Sequence, residues 1–188
     1  MARAFIGVGS NINAEGNVRR ALHRLAREVR VVGISTVYRT QALDRPGPPE
    51  FYNCVVEVET QIPPAELKRV VLRRIEQELG RVRARDQYAP RTIDLDLLIY
   101  GDLVITTPEL VIPDPEIARR PFLAIPLYEL APELVLPGSG QPIKQVAAGL
   151  ASQPMEPLAH YTKLLRRDIE NELSEGATTD PGAARRDR

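Results

Sequence analysis

The chain has 188 residues, enough for one domain that buries about two-thirds of its unfolded surface. Its 25 basic and 25 acidic residues cancel, which argues against a general nucleic-acid binder, and the single cysteine, Cys54, rules out an internal disulfide or a cysteine-based zinc site. No apolar run approaches membrane-spanning length and no signal-peptide core opens the chain, so the expectation is a cytoplasmic protein with no membrane partner.

In chain order, Ala4–Val8 reads as a short strand that ends in a turn, Gly7-Val-Gly9-Ser10-Asn11. Val18, Ala21, Leu22, Leu25, Ala26 and Val29 recur at helical spacing, with Asn17 placed as the cap. Val31–Tyr38 is rich in β-formers and predicts a second strand. The next stretch, 41–50, holds three prolines and a glycine and predicts a loop. Phe51–Thr60 alternates as a third strand, with Asn53, Val55, Glu57 and Glu59 on one face and Cys54, Val56 and Val58 on the other. Pro63 and Pro64 open a second helix whose buried stripe is Leu67, Val70, Val71, Ile75 and Leu79, and Gly80 ends it.

An arginine-rich loop then leads into Arg91-Thr-Ile-Asp94-Leu-Asp96-Leu-Leu-Ile-Tyr100, a fourth long strand. Up to this point the order is β-α-β-β-α-β, the ferredoxin-like pattern of an antiparallel sheet with helices on one face. Later segments add a short strand at Leu103–Thr106, a turn at Pro113-Asp-Pro115, a helix over Pro121–Leu130 and a helical turn at Val146–Leu150. These later helices are expected on the sheet's other face, giving a three-layer α+β fold. One domain over 1–160 is expected, followed by a charged 161–188 tail with an exposed helix over Tyr161–Leu173 and a disordered end.

The chemistry centres on Asp94 and Asp96. Residues two apart on a strand share a face, so the carboxylates project together, with Leu98 and Tyr100 further along, while Ile93, Leu95, Leu97 and Ile99 line the opposite face. Paired carboxylates in an apolar strand need a cation, which arginine or Mg²⁺ can supply. Residues 81–91 hold four arginines and one tyrosine, a composition that suits a polyphosphate equally with a plain solvated basic loop. Other chemistries fall away. His23 and His160 are the only histidines and lie far along the chain from the carboxylates, Cys54 sits inside a strand, and the Gly7–Asn11 glycines match neither a P-loop nor a dinucleotide fingerprint.

At these residues the chain resembles the 6-hydroxymethyl-7,8-dihydropterin pyrophosphokinases of folate biosynthesis. The shared motifs are Gly9-Ser10-Asn11, Val37-Tyr38-Arg39-Thr40, Phe51-Tyr52-Asn53, Glu76 through Gly80-Arg81-Val-Arg83, Pro90-Arg91-Thr-Ile-Asp94-Leu-Asp96, and Arg120-Pro-Phe122 leading to Leu130-Ala131-Pro132. The resemblance implies transfer of the β,γ-pyrophosphoryl group of ATP to the hydroxymethyl oxygen of the dihydropterin, with release of AMP; a monomer is a separate expectation. It implies that Asp94 and Asp96 hold two Mg²⁺ ions, with Arg81 and Arg91 closing over the phosphates. It places Thr40, Leu43, Phe51, Asn53 and Phe122 around the pterin, and Glu76, Arg83, Tyr88, Asp114 and Arg120 around the nucleotide.

The loop 41–50 corresponds to one of the family's substrate lids. Two positions depart from the family pattern: Asp114 stands where a histidine is frequent, and Tyr88 where a tryptophan is frequent. A ribose hydroxyl, a metal-bound water and Arg119 are the partners expected for Asp114. The alternatives are a transferase with another acceptor, which would not need Phe51, Asn53 and Phe122, and a nucleotide- or pterin-binding sensor, which would release no AMP.

Overall fold

A computed structural model describes residues 1–41, 50–82 and 90–177. The elements are β1 (Ala2–Ser10), α1 (Ala14–Glu28), β2 (Arg30–Ile34), β3 (Tyr38–Thr40), β4 (Phe51–Thr60), a helix α2 built of three segments (Pro64–Glu66, Leu67–Leu72, Arg73–Glu78), and β5 (Asp94–Tyr100). After these come β6 (Ile105–Thr106), β7 (Val111–Ile112), a 3₁₀ turn (Pro115–Ala118), α3 (Pro121–Leu130), α4 (Ile143–Leu150), β8 (Glu156–Pro157) and α5 (Ala159–Ala177).

The main sheet runs β5-β1-β4-β3-β8, and β2 also pairs with β4, so β2 and β3 lie end to end alongside β4. All of its pairings are antiparallel, as the ferredoxin-like order predicts. Its two faces bury separate cores. Ile6, Val8, Cys54, Val56, Val58, Leu95 and Leu97 pack against Leu22 and Leu25 of α1 and Leu72 and Ile75 of α2. Phe5, Val55, Leu98 and Ile99 pack against Ala124 and Leu127 of α3 and Ile143 and Val146 of α4. The fold is therefore the expected three layers.

The structure revises several local expectations. β1 does not turn at Gly7 but continues in register to Ser10, opposite Tyr52. The cap of α1 is Asn13 in the left-handed region, φ 42°, while Asn17 is buried inside the helix and its side-chain amide donates to Ile12 O at 2.6 Å. The predicted strand 31–38 breaks at Ser35, whose hydroxyl accepts from Val55 N at 2.9 Å in place of a backbone carbonyl. The Leu67–Leu72 segment of α2 winds as a π-helix, and the wider turn leaves Val70 exposed and brings Leu72 inside.

A register shift opposite Phe5/Ile6 also puts a bulge into β5. Beyond it the alternation inverts. Ile99 joins Leu98 on the α3/α4 face and Tyr100 goes to the other. The aspartates lie before the bulge and keep their common face. The helix expected to stand exposed over Tyr161–Leu173 instead runs Ala159–Ala177 and buries Thr162, Leu165 and Ile169.

Candidate active site

Strand register builds the site's floor. Gly9 of β1 is paired with Asn53 of β4 on one side and with Asp94 of β5 on the other. One step inward, Gly7 is paired with Val55 and Asp96. Residues opposed across a sheet share a face, so Asn53, Asp94 and Asp96 project to the α3 side with only glycines between them. A Cβ at Gly9 would come within 2.9 Å of Asn53 Oδ1, and one at Gly7 within 3.2 Å of Leu123 Cδ2 in the first turn of α3. Glycine is thus required here by the close approach of neighbours, not by a turn.

Two arginines converge on Asp94. Gly80 ends α2 with φ 77°, letting Gly80 N donate to Gln77 O at 2.9 Å and Arg81 N to Glu76 O at 3.0 Å. This pair of bonds is a Schellman ending, which fixes where the Arg81 side chain starts. The Arg81 guanidinium then bridges Glu76 and Asp94 and also donates to Ile93 O at 3.2 Å. Burial works against its charge, but Asp94, Glu76 and Asp96 outweigh that and hold the guanidinium above its ordinary pKa.

Arg91 Nη1 donates to the other Asp94 oxygen at 2.5 Å, and its guanidinium stands 5.7 Å from the centre of the Phe51 ring. The Gly-Ser-Asn motif anchors this segment. Arg91 N donates to Asn11 Oδ1 at 2.7 Å, Asn11 N to Arg91 O at 3.2 Å, and Ser10 Oγ to Thr92 O at 2.6 Å. In the sequence these two residues read as part of a tight turn. Their anchoring role depends on a strand pairing more than eighty residues away along the chain.

Asp96 differs from its neighbour. Among the described residues no hydrogen bond or ion pair reaches it, and its outer edge is exposed. Burial on the sheet side, followed by the charges of Asp94, Asp114 and Glu76, pushes its carboxyl up to about 7, while Lys68 acts in the opposite sense. Lys68, half-buried on α2, also lowers Asp114 and is a cation that sequence reading did not single out. An unpartnered carboxylate beside a second one, in a field of negative charge, is a donor set that fits Mg²⁺. That ion takes one or two protein carboxylates and completes its shell with substrate phosphates and water. No group of three or more His, Cys, Asp or Glu side chains among the described residues forms a self-sufficient metal cage.

On the pterin side of the expectation, Asn53 is buried and its Nδ2 donates to Thr40 Oγ1 at 2.8 Å. Phe51 is half-buried at the start of β4, opposite Thr40. Phe122 is half-buried in the first turn of α3, adjacent to the leucine that lies over Gly7. Leu43, Arg83 and Tyr88 lie outside the described residues.

On the nucleotide side, Glu76 is 4% exposed and accepts from Leu95 N at 2.9 Å as well as from Arg81, so it sits behind the arginine. Asp114 caps the 3₁₀ turn by accepting from Glu116 N at 2.8 Å, and its own N–H donates to Leu98 O at 2.8 Å, two residues from Asp96. Burial raises its carboxyl above the ordinary range, partly offset by the Glu116 N–H bond. Arg119, expected as a partner of Asp114, instead pairs with Glu116 at 3.3 Å, as does Arg120 at 2.7 Å.

A ferredoxin-like sheet whose strand ends gather a carboxylate pair, two clamping arginines and a buried amide has the chemistry to take a cation with a polyphosphate beside a small polar molecule. Sequence comparison makes the class specific. The 7,8-dihydro-6-hydroxymethylpterin-pyrophosphokinase family model matches residues 5–132, and the chain belongs to this family. The 2-amino-4-hydroxy-6-hydroxymethyldihydropteridine pyrophosphokinase of Haemophilus influenzae is 37% identical over 142 residues, 74% of this chain and 88% of that protein. The enzyme of the same name from Synechocystis is 36% identical over 159 residues, 83% of this chain and 80% of that one. In fold, the chain is similar to the crystal structure of Plasmodium falciparum HPPK-DHPS with pteroate, at a TM-score of 0.64 and 16% identity over 80% of this chain. It spans 44% of that longer protein. No described helix is long and apolar enough to cross a membrane.

Proposed function

We propose that the chain transfers the terminal diphosphoryl group of ATP, as one unit, to the hydroxymethyl oxygen of 6-hydroxymethyl-7,8-dihydropterin, releasing AMP. The observation that carries this reading is the register Asn53–Gly9–Asp94. Two strand spacings separate the amide from the carboxylate, about 10 Å, comparable to the length of a bicyclic pterin with its hydroxymethyl arm. Asn53 can donate to and accept from the polar edge of the ring. Thr40 fixes the amide's orientation, Phe51 and Phe122 flank the ring, and the arm then points toward Asp94.

Asp94 and Asp96 are the residues that would hold two Mg²⁺ ions, which when bound neutralise the triphosphate and polarise the oxygens between which the diphosphoryl group moves. Arg81 and Arg91 are placed to exchange the Asp94 oxygens for phosphate oxygens, offering charge where it builds up in transfer. Glu76 keeps Arg81 aimed at that point. Asp114, Arg120 and Lys68 border the side on which the nucleotide would enter.

Incubating the protein with ATP, Mg²⁺ and the dihydropterin should yield AMP and pterin diphosphate in equal amounts. Asp96→Ala should abolish turnover and leave pterin affinity nearly intact. ADP as the nucleotide product would refute transfer of an intact diphosphoryl group, and pterin binding with no nucleotide product would favour the sensor.

A further inference from the structure

β3 is only three residues long, yet it carries Thr40, whose hydroxyl accepts the amide of Asn53. Its pairing with β4 covers only Tyr38 opposite Asn53, Arg39 opposite Tyr52 and Thr40 opposite Phe51. The backbone just before it, at the break after Ile34, must find partners elsewhere. Ser35 N donates to Val55 O at 3.0 Å, and Thr36 N to Glu129 Oε2 of α3 at 2.8 Å. Val37, fully buried, is held at both ends by the C-terminal segment. Its N–H donates to Thr162 Oγ1 at 2.9 Å, and its carbonyl accepts from Leu158 N at 2.8 Å.

Thr162 is set up for this. Its hydroxyl donates to Leu158 O at 2.9 Å, one helical turn back, which leaves its lone pairs to accept the Val37 N–H. β8 then continues the grip, pairing Pro157 with Tyr38 and Glu156 with Arg39. The Arg39 guanidinium bonds Glu156 Oε2 at 2.9 Å through Nε and approaches Glu50 to 3.4 Å, tying β8 to the start of β4. Two further residues seat the segment. Tyr161 OH donates to Glu15 O at 2.6 Å with its ring 5.8 Å from that of Tyr52, and Arg166 Nε donates to Ile34 O at 2.8 Å on the edge of β2. The residues that make this grip, Glu156 to Arg166, lie beyond residue 132, where the family match ends.

We propose that β8 and α5 position the pterin side of the site, with Thr162 and Glu156 as positioning residues that set the register of β3 and hence the Thr40–Asn53 hydrogen bond. Both residues lie on the acceptor side of β4, across β1 from the carboxylates and arginines. Losing them should weaken the acceptor and spare the nucleotide. This rests on the pterin reading of Asn53, so the test measures acceptor and nucleotide affinities separately from turnover.

In the 188-residue protein with Mg²⁺ and a non-hydrolysable ATP analogue, calorimetry gives the dissociation constant of 6-hydroxymethyl-7,8-dihydropterin. A second titration gives that of the analogue. Thr162→Val leaves the buried Val37 N–H without its acceptor and should weaken the pterin about tenfold, the equivalent of one misaligned hydrogen bond. The analogue should be bound within about twofold of wild type, and Thr162→Ser should restore the pterin. The exposed Glu156→Gln, which cannot unfold the chain, should weaken the pterin about threefold.

A Thr162→Val protein with lowered melting temperature but unchanged pterin affinity, or with both ligands weakened equally, would overturn the proposal. Wild type that binds pterin without forming AMP would instead refute the transfer reaction, while the variants still report on positioning. Wild type that binds no pterin would overturn both.

Discussion

Asp96→Asn should make the protein more stable while ending its activity, and the structure gives the size of the effect. The Asp96 carboxyl is pushed to about 7, chiefly by burial and then by Asp94, Asp114 and Glu76. A folded pKa above the unfolded one means the folded chain binds the proton more tightly. The resulting stabilisation is full below the unfolded value near 3.9 and is lost as pH rises through about 7. The exposed edge of Asp96 screens its charge, so the expected cost of ionisation is held to about 1–2 kcal/mol. Asparagine removes that cost at pH 8 and gains little at pH 4. For a chain of this size the melting temperature should therefore rise by about 2–8 °C at pH 8, with a gain that shrinks toward zero as the pH falls to 4. Thermal unfolding followed by circular dichroism across pH 4–8, in the presence of a chelator, measures it. A variant less stable than wild type at pH 8, or one whose gain does not depend on pH, would refute the assignment of Asp96 as a carboxylate held in an unfavourable field.

Two further outcomes follow from the floor and the clamp. Gly9→Ala puts a methyl group within 2.9 Å of Asn53 Oδ1, so the amide must turn or the strands must part; KM for the pterin should rise about tenfold with KM for ATP unchanged, and steady-state kinetics with each substrate varied would show it. Arg81→Ala withdraws one partner from Asp94 and from the buried Glu76, which should cost about 3 kcal/mol of stability in urea unfolding. An unchanged urea midpoint would mean that Glu76 does not depend on Arg81.

The sequence by itself determined the order of the β-α-β-β-α-β core, the alternation of β4 and the adjacency of Asp94 and Asp96, because these follow from local periodicity. Phe51–Thr60 and Pro121–Leu130 have the bounds their patterns predict. The resemblance also drew Phe51, Asn53, Asp94 and Arg81 into one site. What local pattern could not carry is anything that depends on a partner far along the chain. The bulge that inverts Ile99 and Tyr100 exists only against β1, and the π-turn that exposes Val70 depends on how α2 packs. Gly7 and Gly9 read as a turn because glycine commonly marks one; only the approach of Asn53 and Leu123 shows why a strand needs them. The polar composition of α5 suggested a free helix. Its buried Thr162, Leu165 and Ile169 are too sparse to stand out in sequence and take on meaning once α1 and the break before β3 lie opposite. Periodicity reports which face of an element is apolar, and tertiary structure decides what that face and its stray polar groups meet.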